Sequence, residues 1–426
     1  MSFALGVLPV VLLLIGFPIF LVLLSAVTVA LLFYMNIPLA ALHQNLFGGV
    51  NAFALLAVPY FIYAGELMGR GSVAQRLIDF VQSGVGSVRG SLGVTTVGSS
   101  AIFGAISGVS AAAVATIGKV MHPAMRSAGY PEGVSAGLIT AVGAIGIIIP
   151  PSIPMIVYGM AANESVARLY AAGVLPGLLI ALLLGLYIVW FAKRHQIGAG
   201  QPFSARAFFR AAGRGAWALG APFIILGGIY GGVFSPTEAA AVACVYAILV
   251  TRFVYRELGW QDIVAAASNT VVFTGQILLI VACASVYAWL LTVNQVPAAL
   301  VTWLQSLSVA PWILMLAINI GLLAVGCFMD PLSAILLLSP LLVPVVKAAG
   351  YDTVHFGIIL TVNLAIGLFT PPFGINIFVA QSVLKLELRT IYRGIIPFLI
   401  VYLLALVVII FVPAVSMTGV EWFLRK

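Results

Sequence analysis

Asp330 stands in Gly326-Cys-Phe-Met-Asp-Pro-Leu-Ser333, inside a long apolar stretch and far from any polar segment. An acid at bilayer depth is costly and by default functional. Its carboxylate offers oxygen to a hard cation, and its place before Pro331 also makes it a good helix N-cap; the two roles can coexist. Further oxygens accompany it: Ser333, Asn363, Gly367 and Thr370 in the second half of the chain, and Ser107, Gly108, Ser110, Gly143, Gly146 and Pro150 in the first. Hydroxyls, one amide and backbone carbonyls form an environment that suits sodium without burying several full charges. A second group, Pro151, Ser152, Pro372, Gly374 and Asn376, lies where helices restart after a break. Helix N-termini there would stabilise an anionic carboxylate.

No catalytic residue is expected. His43, His122, His195 and His355 form no metal spacing, and Cys244, Cys283 and Cys327 read as small core residues in separate apolar runs. No metal other than sodium is expected. The chain has no GxxxxGK[ST] loop, so energy for any transport comes from an ion gradient or another subunit.

The elements that position these groups are set by two proline pairs. Pro150-Pro151 and Pro371-Pro372 each interrupt a long apolar run. Proline lacks the amide hydrogen and clashes with the preceding turn, so a pair breaks the helix. A break at bilayer depth frees carbonyls, which are tolerated only when buried in protein or used on an ion or substrate. Shifting the chain by 221 residues superposes the pairs, along with Pro123 on Pro344, Gly129-Tyr130 on Gly350-Tyr351 and Ala144-Ile145-Gly146 on Ala365-Ile366-Gly367. About 15 of the 56 positions from 123 to 178 are identical to their counterparts. Two homologous halves with one broken helix each are the sequence pattern of a transporter binding site.

Composition sets the class. The chain is 63% hydrophobic and 7% charged, with a mean hydropathy of +1.21 over 426 residues. A soluble domain carries about 25% charged residues. The runs are continuous rather than alternating, which excludes a β-barrel. An all-α polytopic membrane protein follows, with an inverted repeat, two re-entrant helical hairpins and two broken helices. No cleavable signal peptide is expected at the start. The net charge of +8 reads as basic loops on one side of the membrane.

The expected first repeat covers 1–192: scaffold helices within 3–70, with a span at 51–69; an interfacial amphipathic helix at 70–90; a hairpin at 91–128 with its tip at Ser107–Ser110; a broken helix at 131–163; and a helix at 167–192. A linker at 193–215 carries Lys193, Arg194, Arg206, Arg210 and Arg214 and no acid, which places it in the cytoplasm. The second repeat, 216–426, holds scaffold helices over 216–292, including an amphipathic 259–269 ahead of a span at 270–292. A hairpin at 310–348, a broken helix at 352–384 and a helix at 391–414 complete it. Propagating sidedness from the linker orients the halves oppositely and puts both termini in the periplasm. Lys347 alone falls on the wrong side. Ser235-Pro236-Thr237-Glu238 reads as a capping box rather than an intramembrane acid site. Lys119 reads as a snorkelling residue.

At Gly-Ala-Ile-Ser-Gly-Val-Ser (104–110), Gly-Ile-Ile-Ile-Pro-Pro-Ser-Ile-Pro (146–154), Gly-Gly-Val-Phe-Ser-Pro-Thr-Glu-Ala (231–239) and Pro-Pro-Phe-Gly-Ile-Asn (371–376) the chain resembles the large membrane (M) subunit of tripartite ATP-independent periplasmic (TRAP) transporters. The likeness runs through nearly the whole chain. One departure is Val109, where the family often has serine. The resemblance implies an elevator-type, sodium-driven permease of a bacterial inner membrane that is not an enzyme. It implies a small four-helix membrane (Q) subunit and a soluble periplasmic substrate-binding (P) protein as partners, and an organic acid such as a C4-dicarboxylate or a sugar acid as substrate. The hairpins and broken helices would move against the scaffold. Nucleic acid is not an expected partner. Two other readings are a stand-alone sodium–carboxylate symporter, which would transport without a binding protein, and a non-transporting subunit of a redox complex. The second would call for Lys/Glu relays or haem-spaced histidines, and neither pattern is present.

Overall fold

A computed structural model describes residues 3–35, 37–198, 200, 202–306 and 309–424. The remaining positions of the expected repeats and linker lie outside the described residues. Among the described residues the chain is helical, without strands.

A π-helical turn, Phe3–Val7, leads into α1 (Leu8–Ile15), α2 (Ile19–Tyr34), α3 (Leu39–Val50) and α4 (Ala57–Arg70). Amphipathic α5 (Val73–Val85) follows, burying Val73, Ala74, Leu77 and Ile78 at helical spacing. The first hairpin is α6 (Ser91–Ser107) and α7 (Ser110–Ser127). The first broken helix is α8 (Glu132–Val142), a 3-10 turn at Gly143–Ile147, and α9 (Ile153–Ala162). Then come α10 (Val166–Arg194), α11 (Ala205–Tyr230), α12 (Pro236–Ile248) with a π-helical extension Leu249–Val254, α13 (Trp260–Val293) and α14 (Val296–Ser306). The second hairpin is α15 (Pro311–Gly326) and α16 (Pro331–Ala348), and the second broken helix is α17 (Thr353–Gly367) and α18 (Ile375–Leu384). The chain closes with α19 (Leu388–Phe411) and α20 (Ala414–Leu424).

Six of the described helices are long and apolar enough to cross a membrane, and α3 with α4 forms a further span bent by 55°. The outer helices carry apolar stripes outward, as at Leu178, Leu182 and Leu186 of α10. In a bilayer such a stripe faces lipid, so here the exposed apolar face is the expected one. The broken helices form the centre: every residue of α17 from Val354 to Gly367 is buried.

Glycines let the central backbones touch. A Cβ on Gly104 would lie 2.3 Å from Gly146 Cα, and one on Gly367 would lie 2.4 Å from the Gly326 carbonyl oxygen. Each hairpin thus seats its first arm on the break of its own half, glycine to glycine. The second arms cross over: α7 packs on α18, and α16 packs on α9.

The two halves run in opposite directions. Gly90 lies against Ile188 and Ala192, Gly86 against Phe203, and Gly133 against Gly394, so the open end of the first hairpin shares a face with the basic linker and the start of α19. On the other face, Tyr158 donates to the Thr353 carbonyl at 2.6 Å, and Tyr230 stacks on Phe423 at 4.7 Å. The second hairpin opens there, next to Thr353.

Several boundaries differ from the sequence reading. The helix α11 begins at Ala205, within the expected linker, because Ser204 caps it by accepting from the Ala207 amide at 3.4 Å, and Arg206, Arg210 and Arg214 follow at helical spacing. The stretch 260–293 is one continuous helix rather than an amphipathic piece and a span, since no glycine or proline interrupts it near 269. Residues 39–50 form a helix of their own ahead of the expected 51–69 span. The helix α20 was not anticipated. It docks by Gly419, whose added Cβ would meet the Ala171 carbonyl oxygen at 2.2 Å. The capping box is present: Ser235 Oγ accepts from the Glu238 amide at 3.3 Å, and Glu238 Oε2 accepts from the Ser235 amide at 2.7 Å.

Amphipathic α5 is tied to the loop before α13 by Glu257. Its carboxylate accepts from the Ser72 hydroxyl, from the Ser72 amide at 2.7 Å and from Arg76 Nη2 at 3.1 Å. Partial burial pushes this carboxyl up, but the Ser72 hydrogen bonds and the Arg76 guanidinium outweigh it and hold the group below its ordinary value. A depressed carboxyl stabilises the fold above its unfolded value, near 4.3, and loses that contribution as pH falls through the folded value. Glu257→Gln should therefore lower the unfolding midpoint at pH 7 by the equivalent of about 1 kcal/mol or less, as for a solvent-screened pair. The difference from wild type should vanish in acid, read by a fluorescence melt at stepped pH. A difference that persists unchanged at pH 3 would show that the ion pair is not its source.

Candidate functional site

The hairpin tips and helix breaks meet around one cavity of about 380 Å³. Four helices begin at its wall: α7 at Ser110, α9 at Ile153, α16 at Pro331 and α18 at Ile375. A helix N-terminus carries orphan amides and the equivalent of about half a positive charge; here Ser152 takes one amide of α9 and Asp330 one of α16. Carbonyl-bearing helix ends reach the same wall at Gly108, Ile147 and Leu368. A single space therefore offers amide donors to an anion and carbonyl oxygens to a cation. The rest of the wall is mainly apolar, with Val109, Phe273, Ile277, Ile280, Leu332 and Leu336 among its residues, the ordinary lining of a small-ligand site.

Among the described residues, Asp330 is the only charged one on this wall. Its Oδ2 accepts from the Ser333 amide at 3.0 Å and its Oδ1 from the Ser333 hydroxyl at 2.5 Å, so the capping geometry is present. Among the described residues no lysine or arginine lines the cavity, so an anion entering it is met by helix ends or by an accompanying cation.

Asn376 joins the halves. Its Oδ1 accepts from Ser110 Oγ at 3.0 Å, and its Nδ2 donates to Ser110 Oγ at 2.8 Å and to the Thr140 carbonyl at 3.2 Å. Gly143 faces the same knot, where a Cβ would stand 3.0 Å from the Ser110 carbonyl oxygen. The left-handed Gly108 (φ +60°) turns the first tip over the break, and a Cβ there would lie 3.1 Å from the Pro151 carbonyl oxygen. Both proline pairs have cis peptide bonds.

Of the residues singled out in the sequence, Gly108, Ser110, Asp330 and Asn376 line the cavity. Ser107 lines an adjoining crevice of about 440 Å³ that shares Val109, Phe273 and Gln276 with it. The crevice leads past Glu66 and Asn269 toward the linker face. The others stand behind the wall. Ser152 is buried, donates to the Ile147 carbonyl and caps Met155 at 3.4 Å. Asn363 donates to Asn319 Oδ1 at 2.8 Å and to its carbonyl at 2.9 Å. Ser333 serves Asp330, Thr370 Oγ1 donates to the Ile366 carbonyl at 2.7 Å, and the Pro372 carbonyl accepts from Tyr392 at 2.9 Å. Gly146, Gly367 and Gly374 give close backbone approach, and Pro150 and Pro151 form the break.

Sequence reasoning missed the scaffold side of the site: Phe273, Gln276, Ile277 and Ile280 on α13. Gln276 carried the available signal, an uncharged amide at mid-depth of an apolar span. Where the hairpin tip meets α4, Gly65 leaves no side chain between them, and a Cβ there would lie 2.7 Å from Ser107 Cα.

Comparison with known proteins fits this arrangement. Residues 6–415 match the family model described as "Tripartite ATP-independent periplasmic transporter, DctM component". The chain is 40% identical over 378 residues to the C4-dicarboxylate TRAP transporter large permease protein DctM of Pseudomonas aeruginosa, covering 89% of this chain and 88% of that one. It is 37% identical over 410 residues to the ectoine TRAP transporter large permease protein TeaC of Halomonas elongata, covering 95% and 96%. In fold it resembles the YdaH transporter of Alcanivorax borkumensis, with a TM-score of 0.67 at 16% identity over 97% of this chain and 99% of the other.

Proposed function

This chain belongs to the DctM component family of tripartite ATP-independent periplasmic transporters, a multi-pass membrane transporter family, and from that premise we propose that it is a sodium-driven permease for an organic acid. The observation that carries the reading is the convergence of four helix N-termini on one cavity whose only charged side chain, among the described residues, is Asp330. The helix starts at Ser110, Ile153, Pro331 and Ile375 hold the substrate's acidic group. Sodium is held by Asp330 and by carbonyls of the hairpin tips and breaks, among them Gly108. Its charge offsets the acid that a wall without lysine or arginine cannot neutralise. C4-dicarboxylates and sugar acids are the substrate classes we favour.

The proposed mechanism is an elevator. The hairpins and broken helices travel as one block along α4 and α13, and the Gly65–Ser107 contact supports this because it presents no side chain to the moving tip. The chain works in a bacterial inner membrane with a small four-helix subunit and a periplasmic binding protein. It moves its substrate without converting it chemically.

The test is uptake into proteoliposomes holding this chain and its co-expressed small subunit, with labelled organic acids, with and without an inward sodium gradient and a cognate binding protein. Uptake that needs both supports the reading. Sodium-driven uptake without the binding protein would replace it with a stand-alone symporter, and no uptake from folded protein under any gradient would overturn it. In the same assay Asp330→Asn should raise the half-saturating sodium concentration about tenfold, as for loss of one charge-assisted interaction of roughly 1.5 kcal/mol. The melting point should change little, because asparagine also caps helices. Unchanged sodium dependence with a lower melting point would leave Asp330 a cap alone.

A further inference from the structure

On the linker face, Arg252 lies in the π-helical turn Leu249–Val254 that ends the α12 span. Such turns recur at functional sites. Its guanidinium carbon stands 5.8 Å from the centroid of the Trp260 ring, and its Nε is buried without a hydrogen-bond partner. A buried N–H of a cation without an acceptor is costly, and an anion is its natural complement. Arg256, exposed and with a left-handed backbone (φ +57°), follows one turn later. The exposed Arg214 is brought to the same corner by Tyr255, whose hydroxyl donates to the Arg214 carbonyl at 3.3 Å. Of the two acids in this corner, Glu257 is already engaged by Ser72 and Arg76, and Asp262 accepts from the Gly259 amide at 2.8 Å, capping the start of α13. Among the described residues, Arg214, Arg252 and Arg256 make no ion pair.

Beside Arg252 an open groove of about 430 Å³ runs along α13, lined by Trp260, Gln261, Val264, Ala265 and Ser268. Val264 and Val271 continue it outward, 66% and 70% exposed. From Trp260 to Val271 the helix rises about 16 Å, close to one leaflet of a core about 30 Å thick. Trp260 sits at the end where the arginines cluster, the level at which tryptophan prefers the headgroup region.

We propose that this corner is a binding site for an anionic phospholipid. The phosphodiester meets the partly exposed side chain of Arg252 and lies between Arg252 and Arg256. The acyl chain lies in the groove over Val264 and Ala265, with Trp260 at the boundary. A zwitterionic headgroup would bring an ammonium into a corner that already holds three unpaired guanidinium groups, so the site discriminates by net charge. This inference does not depend on which substrate the central cavity takes.

The experiment uses the full chain purified with its small subunit, stripped of lipid in detergent and titrated with phosphatidylglycerol or phosphatidylcholine, with retained lipid read by native mass spectrometry. Phosphatidylglycerol should be retained over phosphatidylcholine. Arg252→Gln should lower its retention about fivefold, the effect of one basic residue at a lipid surface. Arg389→Gln, an exposed cation elsewhere on the same face, should leave it unchanged. Val264→Trp, which fills the groove at an exposed position, should lower retention with every arginine intact, and it decides the matter if Arg252→Gln does not fold. Equal retention of the two lipids, or wild-type retention in both Arg252→Gln and Val264→Trp, would overturn the proposal. So would displacement of the lipid by millimolar inorganic phosphate, which would make this a soluble-anion site. Lipid held by the chain alone but absent from the two-subunit complex would assign the groove to the small subunit instead.

Discussion

Gly394→Val should yield no folded protein. The helices α8 and α19 touch backbone to backbone: a Cβ on Gly394 would lie 1.8 Å from the Gly133 carbonyl oxygen, and one on Gly137 would lie 2.0 Å from the Gly394 carbonyl oxygen. Neither clash involves a flexible side chain that could swing aside. The helices would have to separate, along a contact that joins the first half to the second. Overpacking in a core typically costs about 1–3 kcal/mol, and clashes between two backbones belong at or beyond the upper end of that range. Native proteins hold only about 5–15 kcal/mol in reserve. Expression as a fluorescent fusion, followed by size-exclusion chromatography in detergent, should show aggregate for Gly394→Val. A monodisperse peak at wild-type yield would mean that the two helices can part without loss of the fold. Gly129→Ala makes a useful contrast. It meets no atom within 4 Å, and its cost is confined to its left-handed backbone (φ +90°).

The second large effect is expected at Asn376. Leucine matches asparagine in length but can neither donate nor accept. In Asn376→Leu the Thr140 carbonyl loses its donor, and Ser110 Oγ loses both bonds that fix the start of α7. Each buried polar group left unpaired costs about 1–3 kcal/mol. Because α7, α8 and α18 meet at this point, the loss falls on the geometry of the cavity as well as on stability. Uptake in proteoliposomes should fall at least about a hundredfold, the equivalent of some 2.7 kcal/mol. Asn376→Asp retains an acceptor for Ser110 but places a second carboxylate at the cavity, and it should impair uptake of anions more than uptake of a zwitterionic substrate. Near-normal uptake by Asn376→Leu would remove the inter-half knot from the mechanism.

What the sequence made legible was the local chemistry. Paired prolines announce the two breaks, small residues around Gly108 announce a tight tip, and Ser235 with Glu238 announces a helix start, because in each case the cause lies within a few residues of the effect. The register of the repeat was also visible, since glycine and proline are kept where backbones must touch or helices must stop. Partner choice was not visible. Ser152 and Asn363 are plausible ligands by type, yet one is consumed by the Ile147 carbonyl and the other by Asn319, and only the packing of the breaks decides that. Arg206, Arg210 and Arg214 have the charge of a loop but the four-residue spacing of a helix, and the structure follows the spacing. The α13 wall escaped notice because an amide among apolar residues has no motif. Asp330, by contrast, was singled out on cost alone and does stand at the cavity.

The crossing of the second arms has a consequence in time. Ser110 and Asn376 are 266 residues apart. At a synthesis rate of about 5–20 residues per second, the start of α7 waits between about 13 and 53 s for the side chain that completes it. The start of α9 waits similarly for α16. Throughout that interval the first hairpin is a finished helix pair with an unfinished end. Lipid supplies no hydrogen bonds to satisfy it. The first half is therefore a dependent intermediate, to be sheltered by water or by the insertion machinery until the last quarter of the chain arrives. The bonds between Ser110 and Asn376 form only after α18 has been made.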